Sequence, residues 1–111
     1  MLLTRELRTA LRRNSDLSRQ RERDHCPVVK FFLPNTAAAW LFTELAEDGD
    51  TLFGLCDLGH GTPELGYASL AELQSLRGPG RLLVERDRHF LATKPLSEYA
   101  VDAWRHRRIV A

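Results

Sequence analysis

Apolar residues recur at steps of four in the opening segment, at Leu3, Leu7 and Leu11 with Ala10 beside them, which predicts a helix with one buried stripe. Arg5, Arg8 and Arg12 fall together on another face of it. Asn14-Ser15-Asp16 reads as its stop, and NSDLSRQRERDH offers a core only Leu17, so residues 14–26 are expected to form a mobile loop. The pattern then changes to PVVKFFLPN, whose Val28, Val29, Phe31, Phe32 and Leu33 are strand formers bounded by prolines, with both faces apolar enough for a central strand.

AAAWLFTEL and TLFGLCDL follow, joined by AEDGD. Trp40, Phe42 and Glu44 alternate with Leu41, Thr43 and Leu45, as a sheet strand requires, and Asp48-Gly49 tolerates the positive φ of a turn, so the pair reads as an antiparallel hairpin. After the turn residues GHGTPE, LGYA reads as a short further strand. Ser69 and Glu72, three apart, form a capping box in which each side chain would take the other's backbone N–H, heading a short helix with Leu70, Leu73 and Leu76 inward. Gly78-Pro79-Gly80 ends it. RLLVERDRHF reads as a strand whose Leu82 to Val84 return to the core. Pro95 suits the first turn of a last helix packed through Leu96, Tyr99, Ala100, Ala103 and Trp104.

These elements predict an α+β fold: an antiparallel sheet of about five strands, with a short central helix and N- and C-terminal helices packed on it. No long-period repeat is visible. The 111 residues, 43% of them hydrophobic, suffice for one modest core, so residues 1–111 read as a single domain ending in a basic tail at 105–111. The longest apolar runs fall far short of the roughly 20 residues that span a bilayer, and the charged N-terminus is unlike a signal peptide, so no membrane role and a cytoplasmic location are expected. Cys26 and Cys56 are too few to staple a secreted scaffold, and whether they pair is open at this level.

Charge is segregated. Residues 1–23 hold seven Arg against three acids, residues 24–80 two bases against eight acids, and residues 81–111 seven bases against four acids. If the basic ends meet, Arg5, Arg8, Arg12 and Arg13 with Arg105, Arg107 and Arg108 would make one patch able to contact phosphates, and Arg77 and Arg86 are further candidates for nucleic-acid or partner binding. The helix dipole alone already favours positive charge where Arg105, Arg107 and Arg108 stand. No sequence-reading motif accompanies the charge, so such binding would be indifferent to base sequence.

Enzymatic chemistry has less to work with. His25-Cys26 and Cys56-x3-His60 lack zinc-ligand spacing, and Cys56 lies mid-strand, where burial outweighs nucleophilic access. GHGTPELG lacks the Lys-Ser/Thr ending of a phosphate loop. No cofactor or metal is implied. The remaining catalytic candidate is a metal-dependent nuclease in which Glu85 and Asp87, sharing a strand face, join Asp57 or Glu64 around a divalent ion. Alternating acids and bases such as Glu85-Arg86-Asp87-Arg88 are also the ordinary make-up of a solvated strand edge.

LLTRELRTAL, VVKFFLPN, WLFTE, LFGLCDLG, ELGYASLAELQSLRG and LLVERDRHF…KPLSE together resemble the family called domain of unknown function 2958, over residues 2–12 and 28–98. ELGY-x-SL-x-EL and ERD-x-x-F are its most distinctive blocks here. The resemblance implies a bacterial setting on plasmids, phages or integrated mobile elements and assigns no activity. The polar stretch Asn14 to Asp24 and the Arg-rich tail depart from the pattern. The expectation is therefore a non-enzymatic accessory protein that binds nucleic acid or a protein partner through a charged surface. The alternatives are the nuclease and a structural homodimer pairing through a sheet edge or Trp104.

Overall fold

The hairpin forms the middle of the sheet. In the computed structural model, which describes residues 2–111, β2 (Ala39–Leu45) and β3 (Thr51–Asp57) pair antiparallel. Asp48 builds the turn: one carboxylate oxygen accepts the N–H groups of Asp50 and Thr51 at 2.8 and 2.9 Å, the other the Thr51 hydroxyl at 2.6 Å, while Gly49 takes φ +73°. The Thr51 hydroxyl bond, followed by the two N–H bonds, holds the Asp48 carboxyl down at about 2. Because the folded value lies below the ordinary 3.8, the stabilisation is fully present above that value and is lost as pH falls towards 2. Chemical denaturation of Asp48→Asn against the parent at stepped pH is expected to show the stability gap narrowing over that window and flat above it.

β1 (Val29–Phe32) pairs with β2, β4 (Glu64–Ser69) with β3, and β5 (Glu85–Arg86) with β1, giving the antiparallel order β4-β3-β2-β1-β5. Alternation divides the side chains between two helical layers. Val29, Phe31, Trp40, Phe42, Leu45 and Leu52 face helices α1 (Arg5–Gln20) and α2 (Leu70–Ser75). Leu41 and Leu55 face α3 (Leu96–His106), through Leu96, Tyr99, Ala100 and Ala103, and also Ile109.

The register slips between Phe42 and Glu44, a bulge that leaves Thr43 unpaired and buried. Its carbonyl is taken by the Asn14 side-chain amide at 3.0 Å, and its hydroxyl donates to Phe53 O at 3.3 Å. This corrects the expected helix stop. Asn14 spends its side chain on the sheet instead of on its own backbone, so α1 continues through Asp16 to Gln20, with Thr4 capping its start and Leu3 ahead of it. Of the expected loop at 14–26, only the part after Gln20 is non-helical.

Five further expectations need correction. Ser69 caps α2 as expected, accepting the Glu72 N–H at 3.2 Å, but the second cap is Asp50, which accepts the Ser69 hydroxyl at 2.7 Å and the Ala71 N–H at 2.8 Å. Leu76 lies past the helix end and is 39% exposed. Gly78 to Arg81 closes on itself, with Gly78 N–H bonded to Leu82 O at 2.8 Å, so Leu82 and Leu83 are exposed, only Val84 returns to the core, and the strand shrinks to two residues. Pro95 is the cap of α3 and not its first turn, and Trp104 is half-exposed, donating its indole N–H to Pro63 O at 2.9 Å.

Candidate functional site

The carboxylates of the nuclease reading do not converge. Glu85 is exposed on β5, and Asp87 follows it in a turn where it accepts the His89 N–H at 2.9 Å and lies 3.9 Å from the Lys30 ammonium. Glu64 starts β4 at the opposite edge of the sheet, four strand spacings or roughly 19 Å away. Asp57 is buried and accepts two backbone N–H groups, Gly59 at 2.8 Å and Ile109 at 3.2 Å, tying the end of β3 to the residues after α3. Among the described residues no three His, Cys, Asp or Glu side chains gather where they could hold a metal ion. Asp57→Ala leaves the buried Ile109 N–H unpaired, as well as freeing the Gly59 N–H, and is expected to cost about 2 kcal/mol in denaturant unfolding.

The arginines do not form one patch. α1 and α3 lie on opposite faces of the sheet, and Arg105, Arg107 and Arg108 end up beside the Asp57 end of the strands, while α1 binds the Leu45 end. Several are used inside the fold. Arg8 and Arg12 donate to the carbonyls of Gly49 and Leu45, Arg77 caps the carbonyls of Gln74, Ser75 and Leu76, and Arg86 donates to Leu2 O at 2.7 Å. Arg5 and Arg13 remain exposed on α1, where they flank a shallow groove floored by Ala10, Leu17 and Val28. The basic tail is pinned by buried Ile109.

Tertiary contact assembles a polar junction that the sequence pattern did not reveal. His25 Nε2 lies 3.0 Å from Ser18 Oγ and 3.1 Å from Asn14 O, and the Ser18 hydroxyl donates to Glu44 at 3.1 Å. A carbonyl only accepts, so His25 carries its proton on Nε2 and cannot take one from Ser18. This is the reverse of a nucleophilic serine's arrangement, in which the acid orients the histidine and the histidine accepts from the hydroxyl. Asp24 closes the junction by accepting the N–H and hydroxyl of Ser97, in the first turn of α3.

The surface left unsatisfied is the outer edge of β4. This strand pairs with β3 on one side only. Leu65 and Tyr67 project on the α3 face, 42% and 74% exposed, with the Tyr67 ring 5.1 Å from that of Phe53 and Trp104 beside Pro63 just before the strand. On the other face Gly66 stands opposite Gly54, and a Cβ placed on it would meet nothing within 4 Å. That space adjoins a 290 Å³ hollow lined by Trp40, Cys56, Ala68, Leu73 and Leu76, with Glu72 on its wall. Apolar alternation at Leu65 and Tyr67 is the one signal for this site in the sequence, and it takes on that meaning only once the strand order puts β4 at the edge.

Both cysteines are free thiols. Burial pushes the Cys56 thiol up to about 11, whereas Cys26 is exposed. Brief treatment with iodoacetamide at neutral pH followed by peptide mass mapping is expected to label Cys26, and to label Cys56 only after unfolding. Equal labelling of both in the native protein would contradict the shielding of the Cys56 thiol.

No curated protein and no solved structure matches the chain. The family model described as protein of unknown function (DUF2958) matches residues 2–110, a span that includes the Asn14 to Asp24 segment and the C-terminal tail, and the chain belongs to that family.

Proposed function

We propose that this chain is a non-enzymatic accessory protein, in the mobile-element setting that the family resemblance implies, and that it holds a protein partner at the β4 edge. The observation that carries this reading is the contrast between the two edges of the sheet. β5 is two residues long and followed by Asp87 and Arg88, the kind of short, charged edge that resists strand addition. β4 is six residues long, holds no proline, carries one charge at its start, and presents Leu65 and Tyr67 to solvent. Adding a strand to such an edge is a general mode of peptide recognition, with backbone hydrogen bonds supplying affinity and side-chain pockets supplying selectivity. A charged surface supports binding less well here, because the basic residues are split between two faces and several are bonded internally.

The reading is tested by photo-crosslinking in the cells that carry the protein. A benzophenone amino acid in place of Tyr67 is expected to trap a protein, the same group in place of Arg88 is not, and Gly66→Val is expected to abolish the Tyr67-position crosslink. Nucleic acid trapped from the positions of Arg5 or Arg13, with nothing from Tyr67, would overturn it.

A further inference from the structure

We infer that the partner segment at β4 is an extended basic–apolar–apolar–apolar–basic stretch, added to the sheet as a sixth strand. The inference rests on the proposed function and gives the partner's chemistry.

Residues 31–76, which contain β2, β3, β4 and α2, include seven acids and no Lys or Arg. Five of the seven are bonded within the fold: Asp48, Asp50 and Asp57 to backbone N–H groups, Glu44 to Ser18 and Glu47 to Arg19. Glu64 and Glu72 are the two without a hydrogen bond or ion pair among the described residues, and they stand at the two ends of the β4 edge. Both carboxylates are exposed, so in the free protein water solvates them at little cost. They become informative when a strand is laid along the edge.

Glu64, Gly66 and Ala68 share one face of β4, and Glu72 lines the same hollow as Ala68. The span from Glu64 to Ala68 is about 13 Å, which an extended partner covers between residues i and i+4. Cations at those two positions would meet Glu64 and Glu72. The residue between them, i+2, would cross Gly66, where no side chain stands, and enter the hollow over Cys56 and Leu73. Positions i+1 and i+3 would fall on the other face against Leu65 and Tyr67, and Tyr67 alone offers an aromatic surface of order 150 Å².

A second copy of the chain fits the same edge less well. The antiparallel register centred on Gly66 juxtaposes Leu65 with Tyr67 of the other copy, but it also places Glu64 against Ala68 of that copy and so towards its Glu72, twice over. Like charges brought together at a forming interface oppose it. A partner with cations at these positions turns the same geometry into attraction.

The probe is a fluorescein-labelled peptide GSKVLVKSG, compared by anisotropy with GSEVLVESG at low salt. Its symmetric core serves either strand direction. The lysine peptide is expected to bind about tenfold more tightly, with a preference that shrinks as salt rises. Glu64→Lys should reduce that preference. Gly66→Val should abolish binding while leaving thermal unfolding unchanged or slightly raised, since valine favours strands and its Cβ would have no atom within 4 Å. Equal binding of both peptides by β4 would overturn the charge assignment and leave the edge reading standing. Protein whose mass doubles with concentration, with Gly66→Val reversing it, would make a second copy the occupant and overturn the peptide inference alone. Binding of neither peptide, by a monomer whose Tyr67-position crosslink also traps nothing, would remove both the inference and the reading beneath it.

Discussion

Gly54→Ala is expected to unfold the protein or to lower its stability by at least about 3 kcal/mol, measured by urea denaturation. Gly54 pairs with Phe42 at the point where β2 bulges, and a Cβ on it would lie 1.9 Å from Leu41 O and 2.8 Å from the Phe42 Cα. Those are backbone atoms of the central strand, so no rotamer change relieves the contact. The strands would have to part where the Thr43 carbonyl is also held by Asn14, and α1 would lose its seat with them. Gly66, directly across β3–β4 from Gly54, is the control, since it has open space on the same face and should accept a side chain freely. Opposite outcomes at two paired glycines separate close packing from strand propensity.

Phe42→Ala is expected to cost about 3–5 kcal/mol. Its ring is fully buried and meets Phe31 edge-on at 5.7 Å between centroids, within the layer that also holds Trp40, Leu11 and Leu52. The sheet clamps it from one side and α1 from the other, so collapse into the cavity is limited, and the loss should sit at the upper end of the aromatic-to-alanine range. For a chain of this size a loss of that order is a large share of total stability, visible as a drop of many degrees in Tm. A loss below about 1 kcal/mol in the same assay would mean that the α1 layer is not packed as described.

The readable parts of the fold were those whose causes are local. The β2–β3 hairpin followed from Asp48-Gly49 between two alternating runs, and the start of α2 followed from Ser69 three residues before Glu72. Failures came where a distant group decided the matter. Asn14 looked like a helix stop because its side chain commonly competes for nearby backbone, and only the bulge at Thr43, 29 residues away, gave it another acceptor. Trp104 looked like core but found its partner in Pro63 O and stays half-exposed. Segregated charge was legible from composition, yet whether the basic ends meet depends on which face of the sheet each terminal helix takes, and they take opposite faces. The same holds for the candidate site. LGYA announced a strand, but its being an edge is a property of strand order, which alternation does not encode. Glu85-Arg86-Asp87, the most conspicuous charged triplet, is largely absorbed in holding Leu2, His89 and Lys30 in place.

The central claim, that β4 is the surface through which this protein acts, is tested most directly by backbone amide hydrogen exchange with and without GSKVLVKSG. Slowing is expected across Glu64–Ser69, with Arg5–Arg13 and Glu85–Arg88 unchanged. Unchanged exchange in β4 alongside slowing at either of those two other segments would contradict it.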